Sequence, residues 1–228
     1  LLLGGLMGTY FVLMFEGLKT APAVSTSAVF TLTPALSAVF GYLLLSQRVN
    51  AWVALALSVG GVGAVWVIFG ADLDALLTFQ IGRGEAIFFF GCVAHAFYTP
   101  LVRKLNRGQS PVVFTFGTIM GALVMLLIYG ARDLVATDYS ALPPMVWVTL
   151  VYLAVFASAL SFFLVQYSTL HLPSAKVMAY TYLTPSWVIL WEAALGNGFP
   201  VPAVLAGVLA TILALTLLLR DETTNQTQ

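Results

Sequence analysis

The chain has 228 residues, 61% of them hydrophobic and 8% charged, with a formal net charge of zero and a mean hydropathy of +0.99. Soluble domains carry roughly 25% charged residues, so this chain has no polar coat to keep it in water and its solvent is lipid. Balanced charge, with no basic block longer than Arg103-Lys104 and Arg107, excludes a nucleic-acid partner. The single cysteine, Cys92, excludes an internal disulfide and reads as small core filler.

In chain order, eight apolar stretches approach the ~20 residues that cross a bilayer. They cover roughly 1–18, 22–45, 50–69, 84–105, 110–130, 144–170, 174–195 and 201–219. Polar or Gly/Pro-rich breakers separate them, the longest being Asp72–Gly84 and Arg132–Pro144. In lipid, backbone groups must be satisfied within their own segment, and no period-two alternation marks barrel strands, so each stretch predicts a helix. The first residues open a span directly, so no cleavable signal is expected. Arg220–Gln228 is polar and is expected to be a disordered tail.

One segment occurs twice. Pro22–Pro34 and Pro173–Pro185 align at an offset of 151: Pro22 matches Pro173, Ala28 matches Ala179, and Leu32-Thr33-Pro34 matches Leu183-Thr184-Pro185. An internal repeat decides architecture before any other feature does. From one copy's span to the other's is an odd number of crossings, so the two copies run in opposite directions. Inverted repeats of this kind are a hallmark of secondary transporters, whose site lies near the midplane between the halves.

The fold class expected is therefore an all-α polytopic membrane protein of two inverted helical repeats. Residues 1–70 form the first repeat with three spans, 71–83 an outer loop, 84–219 the second repeat with five spans, and 220–228 a cytoplasmic tail. Mapping residue 84 back by the offset of 151 falls well before Leu1, so two helices are expected upstream; a fragment is favoured over an eight-helix protein. With alternating spans, Arg48, Arg103, Lys104, Arg107, Lys176 and Arg220 share one side, and Lys19, Arg83 and Arg132 the other. The positive-inside rule places the richer side, with both ends, in the cytoplasm.

These motifs resemble the drug/metabolite transporter superfamily, specifically its ten-helix EamA-type exporters of two five-helix inverted repeats. Leu32-Thr33-Pro34 and Leu183-Thr184-Pro185 match the family's Leu-Thr-Pro in the fourth helix of each half. Leu43-Leu44-Leu45-Ser46-Gln47-Arg48 matches its Leu-Leu-Leu-Gly-Glu-Arg stretch with Ser-Gln in place of Gly-Glu, and Ser58–Ala64 matches its glycine-rich fifth helix. In the second half, Leu195-Gly196-Asn197-Gly198 has lost the Glu-Arg. The resemblance covers the whole chain, without the family's first two helices. It implies a carrier of small organic metabolites, amino acids or related amphipathic compounds being the usual cargo, exported across the plasma membrane, here a bacterial inner membrane.

Pro34 and Pro185 each remove an amide donor and clash with the carbonyl one turn back. In a carrier such a break frees a carbonyl beside the cavity and lets half a helix move; the plain alternative is packing. Pro100 has no symmetric partner and reads as a simple kink. His95 lies near mid-depth of its span, where ionisable groups are costly and count as functional; the alternative is a neutral imidazole hydrogen-bonded in the core. Tyr98 follows it by three residues. In the family, Trp-Ala-Leu-Tyr stands where this chain has His95-Ala96-Phe97-Tyr98.

Tyr180, Thr184, Trp187 and Trp191 form one stripe at helical spacing that can line a cavity able to stack on aromatic or amphipathic cargo. The alternative is an interfacial aromatic belt, for which Trp187 is too central. Ser161 on the preceding span, with Tyr10 and Phe30 in the first half, completes the cavity candidates. Glu192 and Glu16 sit near the outer ends of their helices, suiting either an outer mouth or a wet interface. Small residues four apart, Ala56-Gly60-Ala64, Ala203-Gly207-Thr211 and Gly117-Gly121, read as close-packing faces, within the chain or in a homodimer. No phosphate loop, paired-histidine or Cys-x-x-Cys site, or nucleophile turn is present, so neither enzyme chemistry, metal nor cofactor is expected. The partners are the lipid bilayer and a small-molecule substrate.

Overall fold

A computed structural model describes residues 1–78 and 80–225, and these are mostly helical, with no strand among them. The helices are α1 (Leu2–Leu18), α2 (Ala23–Phe30), α3 (Thr33–Leu45), α4 (Ala51–Ile68), α5 (Leu73–Leu77), α6 (Arg83–Leu105), α7 (Pro111–Ala136), α8 (Pro144–Tyr152), α9 (Ser161–His171), α10 (Ser174–Met178), α11 (Thr184–Ala194) and α12 (Pro202–Asn225). Among the described residues, five helical stretches are long and apolar enough to cross a membrane: Ala23–Leu45, Ala51–Ile68, Arg83–Leu105, Pro111–Ala136 and Pro144–His171. Leu2–Leu18 and Pro202–Leu218 are shorter apolar helices. The protein is an all-α polytopic membrane protein.

Local chemistry sets the helix starts. Asn50 accepts the Val53 amide at 2.7 Å to cap α4, and Ser110 accepts that of Val113 at 3.4 Å to cap α7. Pro111, Pro144 and Pro202 each stand in the first turn, where a missing amide costs nothing. The segment expected as a plain outer loop carries α5, capped by Asp72. The expected disordered tail differs too: α12 runs on through Asn225. Arg220–Asn225 holds neither Gly nor Pro, and adding a residue to a formed helix costs far less than nucleating one. Residues 226–228 lie outside the described residues.

α1 packs between α6 and α7, α3 lies on α6, and α4 lies along α12. A Cβ on Gly63 would sit 2.6 Å from the Gly207 carbonyl oxygen, and one on Gly207 equally close to that of Gly63. Only glycine allows the two backbones this approach. Gly60 receives the Tyr182 ring, at 2.5 Å from where a Cβ would stand. Gly60, Gly63 and Gly207 are thus filled from within the chain, whereas a Cβ on Gly117 would meet nothing within 4 Å. Large apolar side chains such as Phe116, Ile128, Val135 and Val148 face outward, a disposition that lipid accepts and water would not.

The two proline-bearing spans are broken rather than bent. The first stops at Phe30 and restarts at Thr33; the second passes from α10 through a 3-10 turn, Ala179–Leu183, into α11. In both, the proline stands in the first turn of the downstream helix. Pro34 cannot bond the Phe30 carbonyl, and the Thr33 hydroxyl donates to it instead. In the second copy the Thr184 amide donates to the Thr181 carbonyl. Threonine before proline therefore has a physical role: it can supply a donor where the next residue has none. The breaks meet, with the Thr33 and Thr181 hydroxyls 3.3 Å apart and buried. Opposite halves also pair, α2 with α11 and α3 with α10.

Pro100 sits inside α6 and leaves the Ala96 carbonyl without its helical donor. Ser37 of α3 fills the gap, its hydroxyl donating to Ala96 O at 3.2 Å with both groups buried. The expected simple kink is thus also the tie between α3 and α6.

Candidate functional site

A cavity of about 170 Å³ lies where five segments converge. α1 supplies Met7, Tyr10 and Phe11; the end of α2 supplies Phe30; α6 supplies His95 and Tyr98. Ala157, Ser161, Phe162 and Val165 come from the Pro144–His171 span, and Tyr180 from the second break. Each helix break therefore contributes one aromatic ring.

His95 is the polar centre of this box and is only 5% exposed. Its ring stacks on Phe30, with centroids 5.4 Å apart and planes 13° from parallel, and lies 4.6 Å from the Tyr10 ring. Its Nδ1 is buried without a hydrogen-bond partner. A core histidine satisfied by the protein would have one, so this atom has bonding capacity to offer. The Tyr98 hydroxyl approaches Thr118 without a hydrogen bond of full geometry, and Gln166 Nε2 donates to Thr118 Oγ1 at 3.2 Å. Among the described residues, no Asp, Glu, Lys or Arg lines the cavity.

Wide π-helical turns run from Leu153 to Leu160 and end at the cavity wall. There the Ser161 amide reaches back to Phe156 O, and the Ser161 hydroxyl donates to Ala157 O at 2.6 Å. Such turns free carbonyls that a side chain must satisfy, and they are common at functional sites. Ser161, Val165 and Tyr180 also line a neighbouring pocket of about 210 Å³ with Leu164, Ser168 and Val177. Tyr180, 46% exposed, is a partition between the two.

Of the sequence-derived candidates, the structure brings Tyr10, Phe30, His95, Tyr98, Ser161 and Tyr180 together. Pro34, Thr184 and Pro185 lie at the breaks without lining the cavity. Trp187 and Trp191, 60% and 67% exposed, face outward, and Glu192 accepts from Asn197 Nδ2 at 2.8 Å beyond the end of the wall. The single stripe through residues 180, 184, 187 and 191 fails because Ala179–Leu183 is a 3-10 turn. At three residues per turn rather than 3.6, it rotates Tyr180 away from the tryptophans by roughly 80°. Glu16 accepts from Tyr129 Oη at 2.8 Å and pairs with Lys19, away from the cavity.

Sequence reasoning missed Met7, Phe11 and Phe162. The first two fall at helical spacing from Tyr10 and Met14, a pattern indistinguishable from ordinary core. It also missed Glu85, buried in the first turn of α6, which accepts from Ser25 Oγ of α2 at 2.9 Å. Ser25 Oγ also lies 3.4 Å from the Ile68 carbonyl at the end of α4, so the Ser25 hydroxyl sits where α2, α4 and α6 meet.

The model of the EamA-like transporter family matches residues 82–220, more than half of the chain. The chain belongs to the EamA-like transporter family. A curated relative, the uncharacterized transporter YyaM of Bacillus subtilis (strain 168), is 24% identical over 212 residues, which cover 93% of this chain and 69% of YyaM. A crystal structure described simply as that of a protein superposes with a TM-score of 0.67 at 20% identity, over 95% of this chain and 73% of the other; that likeness bears on the fold.

Proposed function

We propose that this chain is a secondary carrier that exports a small organic metabolite across the plasma membrane, a bacterial inner membrane, by alternating access. The observation that carries the reading is the cavity around His95, walled by residues from both broken spans. The Thr33–Thr181 contact between the breaks supports a rocking motion about paired hinges. Inverted repeats are the geometry in which the inward and outward forms are mirror arrangements of the same two halves. The excess of basic residues on one side supports cytoplasmic ends. Membership of a transporter family supports transport over enzymatic chemistry.

The test is counterflow of a labelled metabolite panel in proteoliposomes, with the wild-type chain beside Ser161→Phe, which pushes a ring into the cavity. Wild-type counterflow that Ser161→Phe abolishes, with insertion and helicity unchanged, is the expected outcome. Equal counterflow by both proteins removes the cavity from the transport path. No counterflow by a correctly inserted wild type favours a membrane scaffold. Efflux measured against uptake in cells separates an exporter from an importer or exchanger of the same fold.

A further inference from the structure

We propose that the cargo held in this cavity is a small uncharged planar ring compound with a hydrogen-bonding edge, rather than an ion or a zwitterionic amino acid. The inference rests on the transport reading above and narrows its substrate.

Charge comes first. The lining contains no acidic or basic side chain other than the imidazole of His95. An ion brought into such a wall loses its hydration and gains no counter-charge, a large penalty. A zwitterion brings two such groups. Broken helices can offer their amide ends or free carbonyls to charged cargo in place of side chains, but here those groups are engaged or turned away. Thr33 and Thr184, which begin the downstream helices, do not line the cavity, and the Phe30 carbonyl is taken by the Thr33 hydroxyl. Glu85, the buried carboxylate of α6, is bonded to Ser25 and is absent from the lining.

Shape comes second. The cavity's 170 Å³ is below the ~300 Å³ of pockets for drug-sized ligands. It is close to the ~150 Å³ apolar cavity that accommodates benzene. Tyr10, Phe30 and Tyr98 surround His95 with centroids 4.6, 5.4 and 6.4 Å from its ring. Aromatic faces and edges at such spacings favour a flat guest.

The polar edge comes third. His95 Nδ1 is buried and unpartnered, so a guest that bonds to it gains an interaction the empty site lacks, and an apolar guest leaves it unsatisfied. Ser161 donates to Ala157 O and keeps its lone pairs for an N–H of the guest.

Nicotinamide, nicotinate and 1-methylnicotinamide share one ring and nearly one shape while being neutral, anionic and cationic; phenylalanine adds the zwitterion. Binding to the wild-type chain in nanodiscs, by titration calorimetry, ranks them, and counterflow in proteoliposomes repeats the ranking for transport. Nicotinamide is expected to bind at least about tenfold more tightly than each charged compound. His95→Phe, which keeps the stacking ring and removes Nδ1, is expected to weaken nicotinamide binding by about tenfold while the charged compounds stay excluded, and His95→Gln to restore part of the loss; unchanged nicotinamide binding in His95→Phe overturns the role of the polar edge. Tighter binding or faster counterflow of nicotinate, 1-methylnicotinamide or phenylalanine overturns the class while leaving transport through the cavity intact. Failure of the folded wild type to bind or carry any of the four overturns the proposed cargo class, and the broader metabolite panel then decides whether the transport reading falls with it.

Discussion

At the residue scale, the informative atoms are those whose hydrogen bonds run against the usual ledger. Proline at position 100 takes one donor away from Ala96 O, and serine at position 37 returns it from another helix. Ser37→Ala leaves that carbonyl buried and unsatisfied, at a cost of about 1–3 kcal/mol. Pro100→Ala should offset most of it by restoring the helical amide. Thermal unfolding of the two single variants and the double variant in detergent checks this, and equal losses in the presence and absence of Pro100 would refute the exchange of donors. His95 is the complementary case: its Nδ1 lacks a partner because the surrounding side chains are rings. Its depth in the span was legible in the sequence. Its stacking on Phe30 was not, because Phe30 is 65 positions distant in the chain and nothing in local spacing pairs them.

At the element scale, the repeated Leu-Thr-Pro marks where a helix stops and another begins. The proline is tolerated because it opens a helix rather than interrupting one. The breaks touch through Thr33 and Thr181, so motion at one is felt at the other. Thr33→Val and Thr181→Val each remove one side of that contact while keeping the branched shape. A double-mutant cycle on counterflow rate should show non-additivity of about 0.5–3 kcal/mol, the range for residues in contact. Strict additivity would mean that the hinges move independently. Trp187 and Trp191 show where element-level reading fails: a residue's face depends on the accumulated rotation of every residue before it. A five-residue 3-10 turn is invisible to a periodicity counted at 3.6 residues per turn.

At the scale of the whole molecule, the cavity and its 210 Å³ neighbour are separated by Tyr180 and Ser161. Tyr180→Ala should merge them, speeding exchange of bound cargo and loosening the coupling between its movement and the change of face. The measurement is efflux from loaded proteoliposomes with and without counter-substrate. Wild-type dependence on counter-substrate in Tyr180→Ala would show that another group closes the path. The α4–α12 contact through Gly63 and Gly207 holds one half against the other.

The sequence by itself determined the class of solvent, five of the eight expected spans and the two break points, because these depend on composition, run length and proline, all of which act locally. It also singled out His95, because an ionisable side chain at mid-membrane depth is costly wherever it packs. The tertiary structure alone decided which aromatic residues meet, setting Tyr180 in the cavity wall and turning Trp187 and Trp191 outward. It also revealed Glu85 on Ser25 and Ser37 on Ala96. These pairings join residues 59 and 60 positions apart, and no local pattern encodes a partner that only helix packing brings within reach.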